Sequence, residues 1–139
     1  MTQEVYDFLM MPRRIRQQIW LAEEERRALR LSMLPSAIRY DKEKVQNCPE
    51  DPMILYIERL ESVECKIKKL QSDYLVAHDN VMEQVRALDE KEGKAVMLKF
   101  VLGKSTHDTA SELKKSEKQV LRYLEAAGEK IEMSYCVRA

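Results

Sequence analysis

Residues 88–130 read LDEKEGKAVMLKFVLGKSTHDTASELKKSEKQVLRYLEAAGEK, and their periodicity and caps predict three short helices, the last two at the separation of a helix-turn-helix. Ser105 stands as an N-cap before a helix from Thr106 to Leu113, because its hydroxyl accepts from a free first-turn N–H; Asp108, three residues on, suits the positive end of that helix. Ala110 and Leu113 share one face. The chain then breaks at Lys114-Lys115, and Ser116 forms a second N-cap, with Gln119 three residues later in the pattern of a capping box. A new helix therefore begins at Glu117 and runs to about Lys130. Val120, Leu121, Leu124, Ala127 and Ile131 form an apolar stripe that packs back on Ala110, Leu113, Val96, Leu98, Phe100 and Val101, while Glu117, Lys118, Gln119 and Arg122 occupy the opposite face. Upstream, Asp89 caps a helix from Glu90 to Val101, which Gly103 ends.

The segment from Leu98 to Ala126 resembles region four of bacterial sigma factors. That pattern is a hydrophobic helix ending in a Gly-containing loop, a helix with Ala and Leu inside, then Ser or Thr opening a recognition helix with an inward aliphatic four residues later. Here Gly103, Ala110, Leu113, Ser116 and Val120 stand at those places. Where the family has Gly and then an aliphatic residue in the turn, this chain has Lys114 and Lys115, so the turn lacks its easy left-handed residue. In layout the whole chain is similar to small phage and prophage sigma-like regulators, among them the late-gene transcription activators of the ArpU and RinA type.

The resemblance implies a sequence-specific, double-stranded DNA-binding regulator of transcription in the cytoplasm of a bacterial host, with RNA polymerase as a second partner. Glu117, Lys118, Gln119 and Arg122 then face base edges: Arg122 bonds a guanine, Glu117 accepts from a cytosine, and Gln119 serves base or cap. Lys104, Thr106, Lys114, Lys115 and Ser116 lie at helix starts and turns, where phosphate contacts fix register without reading sequence. Two alternatives stay open. One is a phage small terminase subunit, which also joins a helix-turn-helix to oligomerising helices; the other is a coiled-coil adaptor that binds host RNA polymerase or a sigma factor.

The chain of 139 residues has no net charge, but its charges are unevenly placed. Residues 1–34 hold six basic and five acidic side chains, 35–90 hold eight and twelve, and 91–139 hold ten and seven. The segment with the motif is the basic one, the direction a DNA-contacting end needs.

The region in front reads as long helices. From Arg13 to Leu34 one helix opens just after Pro12 and closes before Pro35, with Ile15, Ile19, Ala22, Leu29 and Met33 on a seam whose remaining place is Arg26. Trp20 lies beside the seam and is expected in a core or an interface. Residues 35–52 carry three of the four prolines and no period, and read as a linker. From Met53 to Leu88, Leu60, Ile67, Tyr74, Val81 and Leu88 recur every seven residues, with Val63, Leu70 and Ala77 between them. A helix this long, on the order of 54 Å, pairs with the first helix, with a second copy, or with both. The expectation is an all-α protein: an N-terminal helix (1–34), linker (35–52), long coiled-coil helix (53–88), helix-turn-helix domain (89–131) and patternless tail (132–139), self-associating through the coiled coil.

Other classes find little support. Cys48, Cys65 and Cys136 are scattered, odd in number and form no CxxC pair, so no disulfide framework or metal site is indicated and the thiols are read as reduced. The opening MTQEVYDFLMMP lacks a basic n-region and a long apolar run, arguing against a signal peptide or membrane span. No Gly-rich phosphate loop or HExxH occurs, and Ser105, His107 and Asp108 are too close in sequence to converge from a helix, so neither catalysis nor a cofactor is expected. Met10, Met11, Met33, Met53, Met82 and Met97 sit near apolar stripes and read as packing filler.

Overall fold

The computed structural model describes residues 1–33 and 51–138, with side chains to residue 134, and every regular element among them is a helix. In chain order these are α1 (Gln3–Ser32), α2 (Pro52–Arg86), α3 (Glu90–Val96) leading into a π-helical turn (Met97–Val101), α4 (Thr106–Leu113) and α5 (Glu117–Arg138). The linker expected over 35–52 lies outside the described residues up to position 50, as do Pro35, Cys48 and the side chain of Cys136. The chain divides into two compact units, Ile15–Asp73, and Met1–Arg14 together with Tyr74–Ala139.

The unit Ile15–Asp73 is built on the two seams legible in the sequence. Asp51 caps α2, its Oδ1 accepting from Met53 N at 2.9 Å, and Pro52 takes the first helical position, where no N–H is needed. Ala22, Val63 and Ile67 are buried together, with Leu29 and Leu70 packed against them. Arg30 reaches Glu64 at 3.5 Å and Lys66 reaches Glu25 at 3.9 Å, so rising numbers on α1 meet falling numbers on α2 and the helices run antiparallel. These pairs are exposed and contribute little, about 0–1 kcal/mol each; the register is set by the apolar seam. Trp20 is 60% exposed and lies outside this core, and Met53, expected as packing filler, is exposed as well, as is Met11.

The core of the other unit joins Val5 and Leu9 of α1 and Val81 of α2 to Ala95, Val96, Phe100, Val101, Ala110, Val120, Leu124, Ala127 and Ile131. Here α1 departs from expectation: it begins at Gln3 and passes through Pro12 instead of opening after it. A proline inside a helix forfeits one backbone hydrogen bond and costs about 3 kcal/mol. Burial of Val5, Leu9 and Pro12 itself, spaced four and three apart on one face, offsets that cost. Tyr6 adds an edge-on contact with the Phe100 ring, centroids 5.9 Å apart.

The helix expected over Glu90 to Val101 is α-helical only as far as Val96. Leu102 N then donates to Met97 O at 2.9 Å, five residues back, and within this widened turn the neighbouring Phe100 and Val101 are both buried. Gly103 closes it with φ +74, and a Cβ there would sit 3.0 Å from the Arg13 guanidinium carbon, so conformation and space both call for glycine. Asp89 stands at the N-cap position of α3 but makes no side-chain cap bond. Its Oδ2 accepts from Lys130 Nζ at 3.4 Å, and the same ammonium donates to the buried Glu92 Oε2 at 2.8 Å, tying α3 to α5.

The Glu92 bond holds the Lys130 ammonium above the ordinary lysine range. Its contribution to folding is therefore complete at neutral pH and fades only in alkaline solution, as pH rises through the raised value. Past Lys130, α5 continues to Arg138 rather than giving way to a tail: Ile131 extends the buried stripe one step beyond Ala127, and no Gly or Pro follows to stop the helix.

Candidate functional site

The caps at α4 and α5 shape the most distinctive surface of the molecule. Ser105 Oγ accepts from Asp108 N at 3.1 Å, and the buried Thr109 hydroxyl donates to Ser105 O at 2.8 Å, so the start of α4 is fastened by two side chains. Ser105 is thereby engaged as a cap, while His107 two residues on points to a different partner. At the other end Lys114 adopts φ 56, ψ 42, the left-handed conformation, and Lys115 N donates to Ala110 O at 3.0 Å. Lysine performs the turn that the family pattern gives to glycine. Ser116 then caps α5, its Oγ accepting from Gln119 N at 3.2 Å.

A left-handed lysine costs roughly 1–2 kcal/mol, part of which glycine loses again through its freer unfolded chain. Lys114→Gly is therefore expected to stabilise the protein by about 0.5–1 kcal/mol, seen as a higher urea midpoint at unchanged slope. A lower midpoint would mean that the Lys114 side chain makes a stabilising contact.

The residues expected at base edges emerge with unequal access. Glu117, Lys118 and Arg122 are exposed, whereas Gln119 is half-buried and reaches outward less than its neighbours. Leu121, placed by its position in the apolar stripe among core residues, is 50% exposed and lies on the same outward face. Neighbouring positions on a helix are turned by about 100°, and it is Val120, with Leu124, Ala127 and Ile131, that faces the core. The regular steps of four, three and four along Val120, Leu124, Ala127 and Ile131 are the signal that separates Leu121 from the stripe. Leu98 likewise remains only half-buried.

The residues expected at phosphates are also differently occupied. Lys104 is paired with Glu112, and Thr106 Oγ1 accepts from Lys99 Nζ at 2.8 Å. Glu117 Oε1 lies 3.2 Å from His107 Nδ1, a contact between the first turns of α4 and α5 that the sequence did not suggest. Among the described residues, no hydrogen bond or ion pair engages the side chains of Lys114, Lys115, Lys118 or Arg122. All four are exposed, and they bracket the start of α5.

No family model, curated protein or solved structure matches this chain. The chemistry of the surface has to be taken from its own groups. Between Lys99 and Glu125 six Lys and Arg stand against four Asp and Glu, and the exposed pairs among them cost little to open. Such a surface presents cations, two capped helix starts and one apolar side chain to a partner. Among the described residues no group of three or more His, Cys, Asp or Glu side chains is arranged to hold a metal ion, and no helix is long and apolar enough to cross a membrane.

Proposed function

We propose that the chain is a sequence-specific DNA-binding regulator of transcription, with α4 and α5 acting as a helix-turn-helix of the sigma-region-four kind and α5 entering the major groove. The observation that carries this is the set of four uncommitted cations, Lys114, Lys115, Lys118 and Arg122, at the turn and along the outward face of α5. Cations held away from carboxylates are ready to replace the counterions of a phosphate backbone, which supplies most non-specific affinity for DNA. Lys114 and Lys115, at the turn, meet phosphates; Lys118 and Arg122, on the helix face, meet base edges. Lys104 and Thr106 join the phosphate set by exchanging Glu112 and Lys99 for DNA, and Glu117 leaves His107 to accept from a cytosine. Ser116 holds the start of α5, and Gln119 acts mainly at the cap.

The unit Ile15–Asp73 serves self-association in this proposal. Its outer surface leaves Trp20, Ile54 and Ile57 exposed, more large apolar area than a solitary helix pair has use for. Host RNA polymerase is the second partner that a sigma-like regulator of phage or prophage genes would engage.

The test is selection from a pool of random duplexes over a series of salt concentrations, with sequencing of what is retained. An enriched motif whose affinity falls steeply with salt is the expected result, and two associated copies would appear in it as an inverted repeat. Absence of retention even at low salt would remove the DNA reading and leave the adaptor to polymerase or a sigma factor. A closed ring of many subunits would turn the DNA-binding surface to a small terminase role instead.

A further inference from the structure

The outward face of α5 carries one large apolar side chain among its charged groups. Leu121 is 50% exposed, it follows Glu117 and Lys118 by one helical turn, and it precedes Arg122 directly. Its neighbour Val120 fills the core completely, so Leu121 is not a core residue displaced by poor packing. Isolated exposed leucines are common and mean nothing alone. This one stands between the two cations, Lys118 and Arg122, that the proposed function places at base edges.

A major groove offers an aliphatic side chain one complementary group, the C5-methyl of thymine, since every other base-edge group there is a donor or acceptor. We propose that Leu121 reads thymine: its methyls pack on a thymine C5-methyl next to the base met by Arg122, and this contact sets preference at that position. The inference rests on the proposed DNA reading and adds to it the identity of one base in the site. The flanking cations favour this occupant over an apolar protein surface, because seating Leu121 in such a surface would strip water from Lys118 and Arg122 without supplying anions.

The experiment uses the full-length chain and the motif enriched from the random pool. Each thymine of the motif is replaced in turn by deoxyuridine, which removes the methyl and keeps every hydrogen-bonding group. Wild-type protein is expected to lose about four-fold in affinity at one or two positions, the value of one buried methyl-sized group. Leu121→Ala should bind the thymine and deoxyuridine duplexes equally there, while keeping the wild-type response at all other positions. Since Leu121 lies outside the core, the variant should unfold at the wild-type urea concentration; Leu121→Met, which retains apolar reach, should recover most of the discrimination.

A flat deoxyuridine scan on an enriched motif, or a motif without thymine, overturns the Leu121 assignment alone. The same holds if Leu121→Ala shows the wild-type scan, or leaves every affinity unchanged, which would mark Leu121 as a protein contact. A pool that enriches no sequence overturns this inference together with the DNA reading.

Discussion

Leu9→Ala lowers the stability of the protein by about 3 kcal/mol, within the 2–5 kcal/mol that a buried leucine usually costs when cut back to alanine. Leu9 has no exposed surface and belongs to the same cluster as Val96, Val120 and Ile131, so the loss falls on the unit that carries α4 and α5. Its side chain interdigitates with residues more than eighty positions away in sequence, and the cavity left by alanine has little freedom to collapse. Leu31→Ala is the control. Leu31 is 57% exposed, and its truncation should change stability by no more than about 0.5 kcal/mol. Urea unfolding by circular dichroism gives the totals, and amide exchange at Val96, Val120 and Leu124 tells whether the loss lies in this unit. Equal effects from the two substitutions would mean that the start of α1 is not part of the core.

That role of residues 3–12 was the least legible feature of the sequence. Val5, Leu9 and Pro12 have helical spacing, but a proline at the end of the stripe ordinarily marks a boundary, and only the long-range burial of all three decides otherwise. The π-helical turn was hidden for a similar reason: nothing local in Met97-Leu-Lys-Phe-Val distinguishes a widened turn from an ordinary one, and the difference lies in what buries Phe100 and Val101. Caps behaved differently because they are local. Ser105 and Ser116 each place an oxygen within reach of an N–H three residues on, so the starts of α4 and α5 could be read to the residue from the sequence.

The candidate surface was legible to the extent that it depends on helix phase. Glu117, Lys118 and Arg122 face outward because Val120 and Leu124 face inward, a relation fixed by 3.6 residues per turn. What escaped was the behaviour of each side chain on that face: the half-burial of Gln119, the exposure of Leu121, and the partners taken by Glu117, Lys104 and Thr106. Those depend on groups that the fold brings near from elsewhere, chiefly His107, Glu112 and Lys99. The turn lies between the two cases. Its position at Lys114 and Lys115 was evident, and its left-handed lysine is a conformation that a sequence without glycine argues against.

Arg122→Ala is expected to weaken binding to the enriched motif by about 1–3 kcal/mol, roughly 5- to 150-fold, and to leave binding to random duplex nearly unchanged. The guanidinium is exposed and, among the described residues, engaged by no partner, so in the free protein its loss leaves no carboxylate unpaired and breaks no folded contact. The cost then falls on the complex, where a bidentate bond to a guanine is lost and the guanine's acceptors are left without a donor.

Lys115→Ala supplies the contrast. A lysine in the turn neutralises a phosphate, so its removal should weaken all sequences alike and lower the slope of log affinity against log salt by about one. The two variants share a lost positive charge and differ only in where on the surface it stood. If both reduce specific and random binding in the same ratio, Arg122 is a phosphate contact and α5 does not read bases through it. If Arg122→Ala instead flattens preference at a single base pair while Lys115→Ala preserves the whole motif, the division between reading and positioning follows the geometry: cations of the turn on the backbone, cations of the helix face in the groove.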